Sequence, residues 1–184
     1  MGNMSRSNEE EIYELLGQSP LTWLEQAEFL RMSATLILEK LREILPIPQV
    51  SPGIRAQKVA FIQSYLLLMG LSFENLIKGV HIAKIPNLSI ENRMKKWKLH
   101  RKGHGISTLI KEIASVNVDS DEENLLRRLE EYAVWAGRYP IPMNTNQYLE
   151  SIEPKNLRSF FTQDPSLCDA LFERLTSIIR NTMS

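Results

Sequence analysis

Between Arg93 and Lys102 the chain places six cations, Arg93, Lys95, Lys96, Lys98, Arg101 and Lys102, around one aromatic residue, Trp97, with no acidic residue among them. Clustered Lys and Arg attract a phosphate backbone whatever its sequence, and an indole ring offers a platform for an unpaired base. The same run also reads as a solvated helix face with Trp97 as its anchor to a core. His100 lies inside the run and His104 just after it, between Gly103 and Gly105. At the N-terminus of the helix expected to follow, the macrodipole disfavours an imidazolium, so His104 would stay neutral and exchange a proton near neutral pH. The alternative for His104 is a capping residue between two flexible glycines. The acidic stretch Asp119 to Glu123 is available to neutralise the basic run.

A second group lies at Glu74, Lys78 and His81, spaced i, i+4 and i+7 and therefore on one stripe of a helix. Glu before Lys at that spacing is the favourable order for an ion pair. If the stripe is buried its charges need partners, and His104 or Arg138 would supply one. A cluster of Glu74, Lys78, His104 and Arg138 is the expectation. Arg138 belongs to the string Trp135-Ala-Gly-Arg-Tyr-Pro-Ile-Pro142, where a helix ends at Gly137 and a proline pair turns the chain. A cation suits that helix end and Tyr139 before a proline must be extended. Displayed on a loop, Arg138 and Tyr139 would equally grip a phosphate and a base.

The elements that must position these groups are all helical. Ser19-Pro20, Ser51-Pro52 and Asp164-Pro165 each set a capping side chain before a proline at the first helical position, and Ser7 with Glu10 and Ser120 with Glu123 read as capping boxes. The spacing predicts helices near 8–17, 20–44, 53–83, 90–101, 106–116, 121–136 and 165–182. The 53–83 span would be ~47 Å long and the centre of a bundle. Its partner at 20–44 shows Leu24, Ala27, Leu30, Ala34, Leu38 and Leu41 at helical spacing and reads as a one-sided packing helix. No alternating strand pattern and no repeat interrupts the chain.

Length and composition predict one domain over 1–184, with its core at about 20–140 and the 165–182 helix packing on the bundle. Twenty-two Lys plus Arg balance twenty-two Asp plus Glu, so attraction for nucleic acid must come from a local patch. The single Cys168 cannot form an internal disulfide and reads as a buried small hydrophobe. Met-Gly-Asn-Met-Ser-Arg lacks the order of a signal peptide, and Arg6 stands where a myristoylation motif needs Ser or Thr. The longest apolar run, Val59 to Phe73, falls short of a bilayer span. The expectation is a cytoplasmic protein with no membrane partner. There is no Walker loop, no Cys–His metal spacing and no nucleophile elbow, so neither metal nor cofactor is expected.

Ser64 to Val80, with its Glu74-Asn75-Leu76-Ile77-Lys78, resembles the core helix of the HEPN superfamily, whose second long helix often reads small-x-Glu-Asn-Leu-x-Lys. Gly103-His104-Gly105-Ile106 with Leu109 and Ile110 resembles the opening of another helix common in that family, and Gly137-Arg138-Tyr139-Pro140 resembles the signature of a bacterial subgroup. The resemblance implies an antiparallel up-and-down bundle with additional short helices, a homodimer, and binding of RNA or a nucleotide. In the family's catalytic members, ribonucleases of toxin or phage-defence type, an Arg and a His with four to six residues between them work without metal. The His helps deprotonate a ribose 2′-hydroxyl and the Arg holds the phosphate. Arg93 with His100 matches the outer limit of that spacing, which makes His100 or His104 the base candidate and Arg93 or Arg138 the clamp, with Lys96, Trp97, Arg101 and Tyr139 among the binding residues. Met94 follows Arg93 where the family has a polar residue, and Arg180-Asn181 opens the same motif with no His after it. The alternative is therefore a non-catalytic interaction or scaffold protein, an antitoxin-like partner with a degraded Arg–His motif.

Overall fold

A computed structural model of the chain describes residues 2–48, 51–100, 103–113, 116–141, 145–146, 149 and 159–183. Its elements are α1 (Gly2–Gln18), α2 (Pro20–Ile44), α3 (Pro52–Lys84), α4 (Ile90–Lys98), α5 (Ile106–Lys111), α6 (Ser120–Glu131) and α7 (Asp164–Met183), with α6 running on as a π-helical turn over Tyr132–Ala136. No strand occurs among the described residues. Arg101 and Pro142 lie outside them.

The starts of α2 and α3 follow the capping rule, since the hydroxyls of Ser19 and Ser51 accept from Thr22 and Ile54 ahead of a proline at the first position. Three expected starts are corrected. The capping box of α6 is Asp119 with Glu122 rather than Ser120 with Glu123. One Asp119 oxygen takes the amides of Asp121 and Glu122 at 2.9 Å each, and Glu122 returns to the Asp119 amide at 3.1 Å. Helix α1 begins at Gly2, ahead of the start expected at Ser7. Asp164 is itself the first residue of α7, and its carboxylate accepts from the Phe161 amide at 2.9 Å and from Arg128. Helices α4 and α5 stop earlier than their spacing predicts, because the last amides tighten onto carbonyls three residues back, as in Leu99 to Lys96 and Glu112 to Leu109.

Helix α3, 33 residues and about 50 Å long, is the centre. Among the described residues it is the one helix long and apolar enough to cross a membrane, and half of its most apolar stretch is buried within the bundle. Its contacts fix the topology. Lys58 Nζ reaches the carbonyls of Leu45 and Ile47, Ser72 donates to Ala27 O at 2.7 Å, and Gly79 meets Pro20 and Trp23, so α2 runs antiparallel to it. Gly70 meets Leu129 and Ala133 while Gly137 meets Leu67, so α6 is antiparallel as well. Phe73 stacks edge-on with Phe172, and Gly79 meets Ile179, so α7 runs parallel. The four helices thus alternate in direction. Leu24, Leu41, Leu66, Phe73, Ile77, Leu125, Leu129, Leu171, Leu175 and Ile179 belong to one core, so α7 is a full wall of the bundle. Cys168 is buried in that wall.

Helix α2 departs from the one-sided reading. Leu24, Ala27, Ala34, Leu38 and Leu41 are buried as expected, yet Phe29, Met32 and Leu36 stand in solvent.

Candidate functional site

Glu74 projects from α3 about 200° around the helix from Ser72, and so away from α2, towards the loop that joins α4 to α5. That loop is tied to its own start, with the amides of Gly103 and Gly105 both donating to His100 O at 2.9 and 3.0 Å. Glycine is needed at both positions. Gly103 sits at φ 101°, and a Cβ on Gly105 would come within 2.6 Å of His100 Cβ. The folded loop carries His104 to Glu74, where Nδ1 and Oε2 lie 2.7 Å apart. The other oxygen, Oε1, accepts from Lys78 Nζ at 2.5 Å. Burial alone would push the Glu74 carboxyl up, but the hydrogen bond from His104 and the charge of Lys78 outweigh it and hold the group below the usual carboxylate range. An ionised Glu74 only accepts, so His104 carries its proton on Nδ1. With the His104 side chain 31% exposed, Nε2 is the nitrogen left for another partner. A buried carboxylate that fixes a partly exposed imidazole in this tautomer is the arrangement of a general base and its orienting group.

Lys78 is spoken for. Its ammonium lies 5.8 Å from the Trp23 ring centre and 5.4 Å from that of Trp97, and the two indoles meet edge to face at 5.3 Å. Trp97 is only 2% exposed, which corrects its assignment as a stacking platform: a base has no access to the ring. Arg93 is corrected on the same ground. It is wholly buried, donates to Ile85 O and to His81 Nδ1, the latter at 3.3 Å, and its pKa is lowered by burial despite Glu14 nearby. Its partner is His81, not His100, so the guanidinium organises the interior and is no phosphate clamp.

His100 and Lys96 converge instead on Glu112. His100 Nε2 is 2.8 Å from Oε1 and Lys96 Nζ is 2.8 Å from Oε2. Burial would raise the Glu112 carboxyl, but Lys96 and His100 bring it below the ordinary range. Both histidines of the α4–α5 loop are therefore backed by carboxylates, Glu74 from α3 and Glu112 from beyond α5. Neither Asp119 nor Glu123 neutralises the basic run. Asp119 caps α6, and Glu123 holds Lys111 and Arg127.

Of the expected cluster the structure joins Glu74, Lys78 and His104 and leaves out Arg138. Gly137 packs on Leu67, seven residues and ~10 Å of helix before Glu74. Arg138 is exposed, bonds Val134 O and lies 5.4 Å from the ring of exposed Tyr139. Sequence spacing did not reveal Glu112 as the partner of His100, nor Glu130, whose Oε2 takes the amide and hydroxyl of Ser107 at 2.9 and 2.6 Å and so holds the start of α5. Among the described residues no group of three or more His, Cys, Asp or Glu is placed to hold a metal ion.

Comparison with protein-family models, with curated proteins and with solved structures finds no match to this chain.

Proposed function

We propose that this chain is a HEPN-like domain that binds RNA or a nucleotide at the α4–α5 loop, with His104 as its general base and Glu74 as the carboxylate that orients it. The observation that supports this reading is the 2.7 Å contact between a buried carboxylate and a half-exposed imidazole. His100 on the same closed loop supplies a second imidazole, and Lys96 beside it supplies a cation. In the catalytic form of the proposal, His104 Nε2 takes the proton of a ribose 2′-hydroxyl. The 2′-oxygen attacks the adjoining phosphorus, and the bond to the 5′-oxygen breaks. His100 in its protonated form then gives a proton to that leaving oxygen. The products carry a 2′,3′-cyclic phosphate and a 5′-hydroxyl, and no metal enters the balance. The clamp role moves from Arg93 to Lys96, since Arg93 cannot reach solvent.

The three histidines provide the test. In a histidine-selective NMR spectrum, adding single-stranded RNA or a nucleotide is expected to shift the rings of His100 and His104 and leave buried His81 unmoved. Ring signals that stay still with both ligands at saturating concentration would contradict the proposal. The second reading, a non-catalytic interaction protein, draws on one specific feature: the exposed Phe29, Met32 and Leu36 on α2.

A further inference from the structure

Helix α1 is joined to α2 through a single residue, Ser19, and a groove of about 380 Å³ opens beside the joint. Tyr13 and Leu16 line it from α1, Trp23 and Phe29 from α2, and Ile90 and Met94 from α4. Tyr13, Leu16 and Phe29 are exposed there. Met32 and Leu36 carry the apolar surface onward along the same side of α2, and each is 66% exposed. Together these five side chains expose on the order of 600 Å², the upper end of the largest apolar patch on an ordinary monomer. The charges around this surface lean one way. Glu9 stands one turn before Tyr13 on α1, and Glu25 lines the groove one turn before Phe29. Glu39 follows Leu36, so exposed carboxylates stand at both ends of the α2 stripe, about 21 Å apart. Lys40 is neutralised by Glu43 at 2.8 Å and Lys95 by Glu91 at 2.7 Å. Arg31 is turned to Asp169 and Glu173 on α7, and Arg42 lies ~110° around α2 from the stripe. Lys98, one turn beyond Met94 on α4, is an opposing cation that Glu9, Glu25 and Glu39 outnumber.

We infer that this surface is the docking site of a basic amphipathic helix belonging to a different protein. The apolar face of that helix lies along Phe29, Met32 and Leu36, with one bulky side chain filling the groove beside Tyr13 and Leu16. Lys or Arg residues about four turns apart on it meet Glu25 and Glu39. A groove between helices takes a helix, and no sheet edge exists among the described residues to accept a strand. The acidic surplus turns away a nucleic acid, an anionic membrane and a second copy of this chain, whose stripe carries the same carboxylates. The stripe also runs about 10 Å past Phe29 to Leu36, beyond the reach of a small molecule held in the groove. The inference shares this exposed stripe with the second reading above, yet holds whether or not the His104 loop acts on RNA.

The test is fluorescence anisotropy of the full chain with two labelled peptides of about 18 residues, an amphipathic Leu/Lys helix and a Leu/Glu helix of the same leucine spacing. The wild type is expected to bind the Leu/Lys peptide at micromolar concentration and the Leu/Glu peptide at least about tenfold more weakly. Phe29→Ser with Leu36→Ser, its fold checked by circular dichroism, should weaken the Leu/Lys peptide by at least about tenfold. Glu25→Lys with Glu39→Lys should reverse the preference between the two peptides. No binding of the Leu/Lys peptide at high micromolar concentration would overturn the inference. So would binding that the serine variant leaves unchanged, since charge alone would then explain it, or a preference that the lysine variant does not reverse. A wild type that binds neither peptide and sediments as a dimer would overturn it in favour of a second copy on the stripe.

Discussion

The carboxylate of Glu74 is shared, with Oε2 at 2.7 Å from Nδ1 of His104 and Oε1 at 2.5 Å from Nζ of Lys78. A buried charge with one partner on the solvent side and one on the core side cannot be removed without exposing the other to an unbalanced field. That division of labour makes Glu74 the link between the interior of α3 and the loop that holds the proposed site.

His81 predicts an acid-sensitive fold. Burial first, then the neighbouring charges of Arg93 and Lys96, push its imidazole down to about 4 from an ordinary 6.5, against a smaller opposing pull from Glu112. Between those two values the unfolded chain binds a proton that the folded chain refuses, so stability is full above pH 6.5 and falls as pH drops through the window. At about 1.4 kcal/mol per pKa unit the loss reaches about 3 kcal/mol. Urea midpoints measured across that range should fall for the wild type and stay flatter for His81→Gln. Below it, Glu74 and Glu112 add a second loss, since carboxyls held below their ordinary range stabilise the fold only while they remain ionised.

Gly70 predicts a cost where helix propensity alone predicts a gain. An added Cβ would lie 2.5 Å from Leu129 O and 3.3 Å from the Ala133 side chain. The near atom is backbone, so α6 must shift. Gly70→Ala is expected to lose about 1–3 kcal/mol by overpacking, in spite of the ~1 kcal/mol that alanine gains in a helix. Gly53, whose Cβ would meet only Ser51 Oγ at 3.9 Å, provides the control: Gly53→Ala should raise the thermal midpoint.

Asp164 and Arg128 predict the largest single loss. Both are buried, they hydrogen-bond each other, and Asp164 also takes the Phe161 amide, which together fasten α7 to α6. Burial raises the Asp164 carboxyl even against that amide and the Arg128 charge. Asp164→Ala strands the Arg128 guanidinium and should cost about 3–5 kcal/mol in denaturant unfolding. Removing exposed Lys95 from its pair with Glu91 should leave the midpoint where it is.

Much of the fold was legible because its signals are local. A serine followed by proline sets the start of α2 and α3 with no reference to the rest of the chain, and the spacing of Leu24, Ala27, Ala34, Leu38 and Leu41 gives the buried face of α2. The shift of the α6 cap from Ser120 to Asp119 shows the limit of such signals, since two adjacent residues offer the same chemistry and backbone direction decides between them. Part of the site was legible for the same reason: Glu74 and Lys78 are four apart on one helix. His104 reaches them across 30 residues only because a charged stripe buried on α3 demands a partner. The pairing of His100 with Glu112 and of Arg93 with His81 depends on how α4 lies against α3 and α5, which no spacing encodes. Phe29, Met32 and Leu36 escaped notice because a helix already explained by one apolar face gives no reason to seek another.

The measurement that bears most directly on the proposed site is cleavage of mixed RNA in excess EDTA by the wild type, His104→Ala and His100→Ala, with the end groups of the products identified. The account predicts metal-independent products ending in 2′,3′-cyclic phosphate, with a rate that His104→Ala lowers by about 10²–10⁴-fold while the variant keeps its fold. Intact RNA after prolonged incubation with concentrated wild type, or cleavage that survives His104→Ala unchanged, would contradict it.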